Sequence, residues 1–395
     1  MMKIKGKYNT AEIFTDNVEE GVISQILELC NQEIYKGSKI RIMPDTHKGA
    51  SCVIGLTMAI KDKICVNFVG VDISCGMRVI KLKEKDIDFN LLDKVIRQHV
   101  PSGREVREIY HKNSKQIDLS ELKCYKFINS DRALKSLGTL GGGNHFLEID
   151  KDDKGNIYLV IHTGSRYLGK QVAEYYTETA YKKLTDNKTE KDKIITILKS
   201  EGREKDIQTE LQKIKAIKIN KDFAYVEGKL FDDYIHDMKI IQKYAELNRI
   251  TIAEEILYHM NLHQESFFES VHNYIDTETL ILRKGAIDAS KGKQLIIPIN
   301  MRDGAIIGIG KGNTDYNCSA AHGAGRVMSR RCAKKQISLK EFEDSMKGIW
   351  TTSVNENTID ESPMAYKPMN EIINNLKDTI DIVSIIKPIY NFKAN

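Results

Sequence analysis

The sequence predicts an α+β fold. It reads as one mixed domain over residues 1–395, with central β-sheets carrying glycine-rich loops, helices around them, and a charged helical excursion at about 170–247. Two observations predict it. Glycine is gathered into short clusters, each following or interrupting a run rich in β-branched residues, which is how a rigid scaffold presents chemistry on loops. The middle of the chain, by contrast, is rich in Lys and Glu, nearly free of Gly and Pro, and apolar at helical spacing. No internal repeat and no low-complexity linker marks a second domain.

Taken in chain order, the first strand signal is KIRIM at 39–43, ahead of the glycines at 49–55. A second lies at 64–69, ahead of GVDISCG at 70–76. A glycine cluster at 138–143 and the apolar run YLVI at 158–161 follow, the latter leading into HTGSR at 162–166. Then comes the excursion, where residues 181–218 hold eleven Lys/Arg against seven Asp/Glu; such a run is a solvated helical face before it is an RNA-contacting one. Further strands are expected at 280–282 and 294–297, between the glycine clusters at 285–292 and 304–325.

Composition excludes little. A 41% hydrophobic and 29% charged chain is ordinary for a globular protein, and a net charge of +5 permits a nucleic-acid partner without requiring one. The N-terminus shows no signal-peptide core, and no window nears the ~20 apolar residues of a membrane span. Seven scattered cysteines with no C-x-x-C pair fit a reducing compartment, so a cytoplasmic location is expected.

The chemistry-bearing residues sit in the glycine clusters. Asp72 and Cys75, three apart on a turn, can converge on one cation, and a thiolate can bridge two; a buried cysteine beside a capping aspartate explains them equally well. His145 follows three glycines in GTLGGGNHFLEI (138–149), where backbone can approach a ligand and Asn144 and Glu148 supply directional hydrogen bonds. His162 ends a strand and opens HTGSR, beside Arg166; His272 begins HNY, next to Asn273. Each histidine alone is more often structural than a ligand. Together, one carboxylate, one thiol and three imidazoles make a mixed donor set for a borderline transition metal, and five ligands exceed one tetrahedral site, so two ions sharing Cys75 is the economical expectation. His322, in AHGAGR (321–326), has exposed backbone N–H groups after it and Arg326 nearby, which suits a phosphate; an anion-binding loop and a nucleophile remain equal readings. His259 and His263 stand at i, i+4 without the glutamate of H-E-x-x-H, and are expected to be surface or packing residues.

PDTHKG (44–49), GVDISCG, LGTLGGGNHFLEI, IHTGSR, VHNY, RKGA, IPINMRDG (297–304), GKGN and HGAGRVMSR (322–330) occur in one order, and the set resembles that of the RtcB-type RNA ligases from about residue 43 to the C-terminus. The resemblance implies joining of an RNA 3′-phosphate or 2′,3′-cyclic phosphate to a 5′-hydroxyl, with GTP and two Mn²⁺ per site. It implies that Asp72 and His145 hold one manganese, that His162 and His272 hold the other, and that Cys75 bridges them. His322 becomes the residue guanylylated by GTP. The nucleotide contacts implied are Asn144, His145, Phe146, Leu147 and Glu148; His272 and Asn273; Pro298, Ile299, Asn300 and Met301; and His322, Gly323, Ala324 and Gly325. Tyr366 and the C-terminal Lys393 complete them. Asp45, His47, Arg166 and Arg326 are weaker candidates for RNA or phosphate contacts. An archease-like activator and a monomeric state are carried as expectations. A metal-dependent phosphoesterase and a non-catalytic RNA-binding paralogue are the competing readings; the former has no use for a covalent guanylate, and the latter would be expected to lose ligands this sequence keeps.

Overall fold

A computed structural model describes residues 1–213 and 217–394, with Lys188–Glu190 described by backbone alone. Ile214–Ala216, within the expected helical excursion, lie outside the described residues. Mixed sheets and helices make up the architecture, in keeping with the α+β expectation.

The larger sheet has eight strands. Its path runs Gln264–Val271, Gly76–Leu82, Ile157–Thr163, Phe146–Lys151, Ile380–Lys393, Gly304–Gly310 and Gln294–Asn300, all neighbours antiparallel, with Trp350–Thr351 paired parallel to Ile380–Lys393. Period-two alternation gives it two apolar faces. Leu147, Ile149, Leu159 and Ile161 pack on one side with Leu92 and Ile96 of the helix Phe89–His99, whose N-cap Asp88 accepts from the Leu91 N–H at 3.0 Å. Met77, Val79, Phe146 and Val160 face the other side, against Ile296, Ile307 and Ile386.

A six-stranded sheet runs Met2–Lys5, Thr10–Ile13, Ile40–His47, Ile54–Ala59, Ile281–Lys284 and Asn273–Ile275. Two short ribbons, Ala286–Asp288 with Ser319–Ala321 and Lys63–Cys65 with Tyr225–Glu227, complete the β-structure among the described residues.

The helical middle section is less detached than its charge suggests. Arg166–Thr185 and the long helix Lys229–Met260 bury Leu168, Val172, Tyr176, Tyr234, Ile241 and Tyr244 in the largest apolar cluster, while residues 191–200 between them stay mostly exposed. Among the described residues no helix is long and apolar enough to cross a membrane. All seven cysteines are free, five of them buried.

Candidate active site

Four neighbouring strands of the larger sheet end at one edge. Cys75 precedes Gly76–Leu82, His162 is the last residue but one of Ile157–Thr163, His145 precedes Phe146–Lys151 and His272 follows Gln264–Val271. Register sets them side by side, with His162 opposite both Met77 and Phe146, and Val271 opposite Gly76. Asp72 comes from the turn before Cys75, where Ser74 takes a left-handed φ of 59°. That strained conformation is held by the Ser74 N–H donating to the Asn273 carbonyl at 2.6 Å and by Arg249 donating to the Ser74 carbonyl at 2.9 Å.

Glycine matters here by proximity. A Cβ on Gly164 would lie 2.3 Å from Asp72 Oδ1, and one on Gly141 2.0 Å from the Arg166 guanidinium, so neither carboxylate nor guanidinium could keep its place beside a larger residue.

The donor atoms converge. His145 Nε2 lies 2.9 Å from Asp72 Oδ2 and 3.4 Å from Cys75 Sγ; His162 Nε2 lies 3.3 Å from the same sulfur and 3.4 Å from His272 Nε2. His145 Nδ1–H donates to the Leu140 carbonyl at 2.9 Å and His162 Nδ1–H to the Asn144 carbonyl at 3.1 Å. Those bonds assign the tautomers and leave both Nε2 lone pairs aimed inward. A lone pair facing a carboxylate oxygen at 2.9 Å is satisfied by a positive charge on or beside Nε2, a proton in the free protein or a metal ion in its place. Ligands about 2.1 Å from one ion sit about 3 Å apart at adjacent octahedral corners, close to the separations seen. Asp72 Oδ1 and His272 Nδ1 are buried without a partner. The donors group as Asp72–Cys75–His145 and Cys75–His162–His272. The residues therefore fit a metal-binding cluster, and Cys75 belongs to both groupings.

Electrostatics agrees with that fit. Burial, then the neighbouring imidazoles, holds His162 and His272 well below the usual histidine range, so both rings are neutral donors. Burial and the adjacent Asp72 push the Cys75 thiol well up, so a cation has to displace its proton. Burial opposes ionisation of Asp72, but the hydrogen bond and charge of His145, with Arg166, keep the carboxyl below its ordinary value.

His322 arrives from the other sheet system. It follows the ribbon strand Ser319–Ala321, and its ring lies 4.9 Å from that of His272 between centroids. Asp45, on Ile40–His47 and fully buried, accepts from His322 Nδ1–H at 2.7 Å and from the backbone N–H groups of His322 at 3.1 Å and Gly323 at 3.2 Å. Nε2 of His322 is thereby left with its lone pair.

A cavity of about 140 Å³ opens over His162, His272 and His322. Asn144, Phe146, Glu148 and Lys393 line one wall, Pro298, Ile299, Asn300 and Met301 another, and Gly323, Ala324, Gly325, Arg326 and Tyr366 a third, with His47 at the side. Asp72, Cys75 and His145 lie behind this lining. Leu147 points the other way, into the apolar face, because alternate strand residues face opposite sides. Asn273 does not line the cavity; its Oδ1 accepts from the Gly285 N–H at 3.0 Å. Asn300 spends its side chain on a turn, accepting from the Asp303 N–H at 2.8 Å. Arg166 sits behind the site, Nη1 3.3 Å from His145 Nδ1.

Two residues of this cavity were not singled out from sequence, Glu361 and Arg330. Glu361 is buried and accepts from Lys393 Nζ at 2.7 Å and from the Tyr366 hydroxyl at 2.9 Å, and it pairs with Arg330. Burial raises its pKa, but Lys393, Arg330 and Arg326 outweigh that and hold it at about 2. Arg330 closes a quoted motif, HGAGRVMSR, which was a signal; Glu361 stands in TIDESPM with none. Glu148 is the opposite case. Burial pushes it up to about 7 against the pull of Lys393 and Asn391, and Asp150 beside it, with neither carboxylate oxygen bonded, is raised further by burial and by Glu148.

The sequence profile described as tRNA-splicing ligase RtcB matches residues 30–129 and 112–394. The chain belongs to the RtcB family. The RNA-splicing ligase RtcB of Escherichia coli (strain K12) is 30% identical to it over 397 residues, covering 90% of each chain. The tRNA-splicing ligase RtcB of Nanoarchaeum equitans is 27% identical over 84% of this chain and 83% of the relative, and that of Methanococcus maripaludis 26% over 96% and 92%. Both RtcB profile segments together take in Asp45, the five convergent donors, His322, Glu361 and Lys393.

Proposed function

We propose that this chain is a GTP- and Mn²⁺-dependent RNA ligase that joins 3′-phosphate or 2′,3′-cyclic phosphate ends to 5′-hydroxyl ends in RNA repair or tRNA splicing. The observation that carries the reading is His322 itself: Nδ1 tied to Asp45, Nε2 free, and the ring set against the donor cluster at the floor of an open cavity. Membership of a family named for RNA-splicing ligation supports it.

Asp72, Cys75, His145, His162 and His272 would hold the two manganese ions. When bound, those ions supply positive charge to the crowded phosphates and lower the pKa of a bound hydroxyl. The remaining chemistry belongs to the chain. His322 Nε2 attacks the α-phosphorus of GTP, forming an N–P bond as the bond to pyrophosphate breaks, while Asp45 keeps the imidazole oriented and compensates its growing charge. A 2′,3′-cyclic end must first add water and break its O2′–P bond; an oxygen of the RNA 3′-phosphate then takes the guanylyl group, freeing the ring, and the 5′-hydroxyl gives up its proton to solvent as it displaces GMP to form the phosphodiester. A 3′-phosphate is a poor electrophile without such a leaving group.

The cavity walls named above would hold the nucleotide, with Glu148, Glu361 and Lys393 at its polar end. His47, Arg326 and Arg330 would meet phosphate or RNA near His322.

Incubation with GTP radiolabelled at the α-phosphate and Mn²⁺ tests this directly. Wild type becomes labelled, and His322→Ala abolishes the label. A wild type that stays unlabelled while cleaving RNA would establish the phosphoesterase reading instead.

A further inference from the structure

A second group of metal-type donors lies away from the cavity and shares no residue with it. His99, Glu255 and His259 bring one ligand atom each within 4.8 Å of one another. His99 ends the helix Phe89–His99, and Glu255 and His259 stand one turn apart on Lys229–Met260. Glu255 Oε2 is 3.9 Å from both His99 Nδ1 and His259 Nε2. We propose that these three residues form a zinc site, with a fourth position open to solvent.

The donor set is two imidazoles and one carboxylate, which selects a borderline divalent ion over magnesium or calcium. Ligands at 2.0–2.2 Å from a tetrahedral zinc lie about 3.4 Å apart, so the observed 3.9 Å needs closure of about half an ångström. The two rings now stack, centroids 3.6 Å apart and 17° between planes, so each must tilt out of the stack to aim its lone pair at the ion. Side-chain exposures of 32% and 30% give both rings room to do so.

The carboxylate is already oriented. His111 Nδ1 accepts from the Asn113 N–H at 3.2 Å, which puts its proton on Nε2, and Nε2–H donates to Glu255 Oε1 at 3.1 Å. That leaves Oε2 for the ion, the outer support that ligating carboxylates have. Arg107 is the competing cation, yet its Nε and Nη2 are committed to the carbonyls of Leu137, His99 and Gly138, and its Nη1 stays 3.9 Å from Oε2, beyond hydrogen-bond reach. Bound zinc joins the 99–112 segment to the long helix. That segment holds the glycine loop through Pro101 O, which accepts from Leu140 N–H at 2.9 Å, and through Gly103 N–H, which donates to Gly141 O at 3.0 Å.

The test counts zinc. Full-length wild type, Cys75→Ala and their His259→Gln derivatives are dialysed against micromolar Zn²⁺ and analysed for metal per chain. In both backgrounds His259→Gln is expected to lower the count by one, and cobalt-loaded Cys75→Ala is expected to show the visible absorption of a four-coordinate ion that His259→Gln removes. His99→Gln should reproduce both losses. Equal zinc counts with and without His259, in either background, would overturn the proposal.

Discussion

Asp45 Oδ2 lies 2.7 Å from Nδ1 of His322, a residue 277 positions later, and accepts the backbone N–H of the same histidine and of Gly323. One buried carboxylate thus sets both the tautomer of the ring and the position of the loop that carries it. Asp45→Asn keeps the size, and its amide oxygen can still accept from Nδ1–H and from both backbone N–H groups, but it removes the negative charge that compensates the ring as Nε2 attacks. Guanylylation is expected to fall by about 10²- to 10³-fold, as when one electrostatic stabiliser of a developing charge is removed. Melting temperature should change little, and the rate of label incorporation from GTP measures the effect.

Cys75 is the donor common to both groupings. Cys75→Ala is expected to lose both manganese ions, read by metal analysis after gel filtration. Two ions per chain retained would remove the bridging role.

Gly164 offers a finer division of the same site. In Gly164→Ala the new Cβ meets Asp72 Oδ1, 2.3 Å away, and pushes the carboxylate from His145. Affinity at the Asp72–Cys75–His145 position should weaken by about 10- to 100-fold, the effect of disturbing a ligand's support, while the Cys75–His162–His272 position keeps its ion. Titration of manganese with detection of the free ion separates the two.

Glu361 neutralises Lys393, Arg330 and Arg326 in a buried setting. Its folded pKa of about 2 lies below the ordinary 4.5, so its contribution to stability is complete above 4.5 and is lost as pH falls through 2. Glu361→Gln leaves the buried Lys393 without its ion-pair partner, while Arg330 keeps Asp360, and is expected to cost about 3–5 kcal/mol in denaturant unfolding at neutral pH. The difference between variant and wild type should shrink between pH 4.5 and 2.

Glu148 runs the other way. Its folded pKa, raised to about 7, means that stability is greatest below 4.5 and declines as pH climbs through 7. Guanine presents N–H donors that favour the ionised carboxylate, so nucleotide binding should release a proton and weaken as pH drops below 7. Calorimetry in buffers of different ionisation heat measures the proton, and Glu148→Gln should abolish the pH dependence. An unchanged dependence would place the titrating group elsewhere.

Much of this protein was legible along the chain. Residue types that bind metal or attack phosphorus stand in glycine clusters at strand ends, and strand period and helical period are local properties of sequence. The mixed sheets, the strand that delivers His162 and the core-facing stripes of the long helix follow from those periods. The ordered motifs pointed to the family because each keeps its own spacing.

Pairing between distant segments was decided only by the tertiary structure. The i, i+4 pair His259 and His263 proved not to be a unit: His263 pairs with Glu84 at 2.8 Å, while His259 stacks on His99. Asp45 stood in the sequence among the weaker candidates for RNA or phosphate contact, and the fold buries it behind His322; Glu361 carried no motif and sits among three cations. Strand order and register fix which loops meet, and no local pattern encodes the order of strands in a sheet. The sequence by itself named the reactive groups, and the fold chose their partners because burial makes each buried charge find a counter-charge wherever the chain brings one.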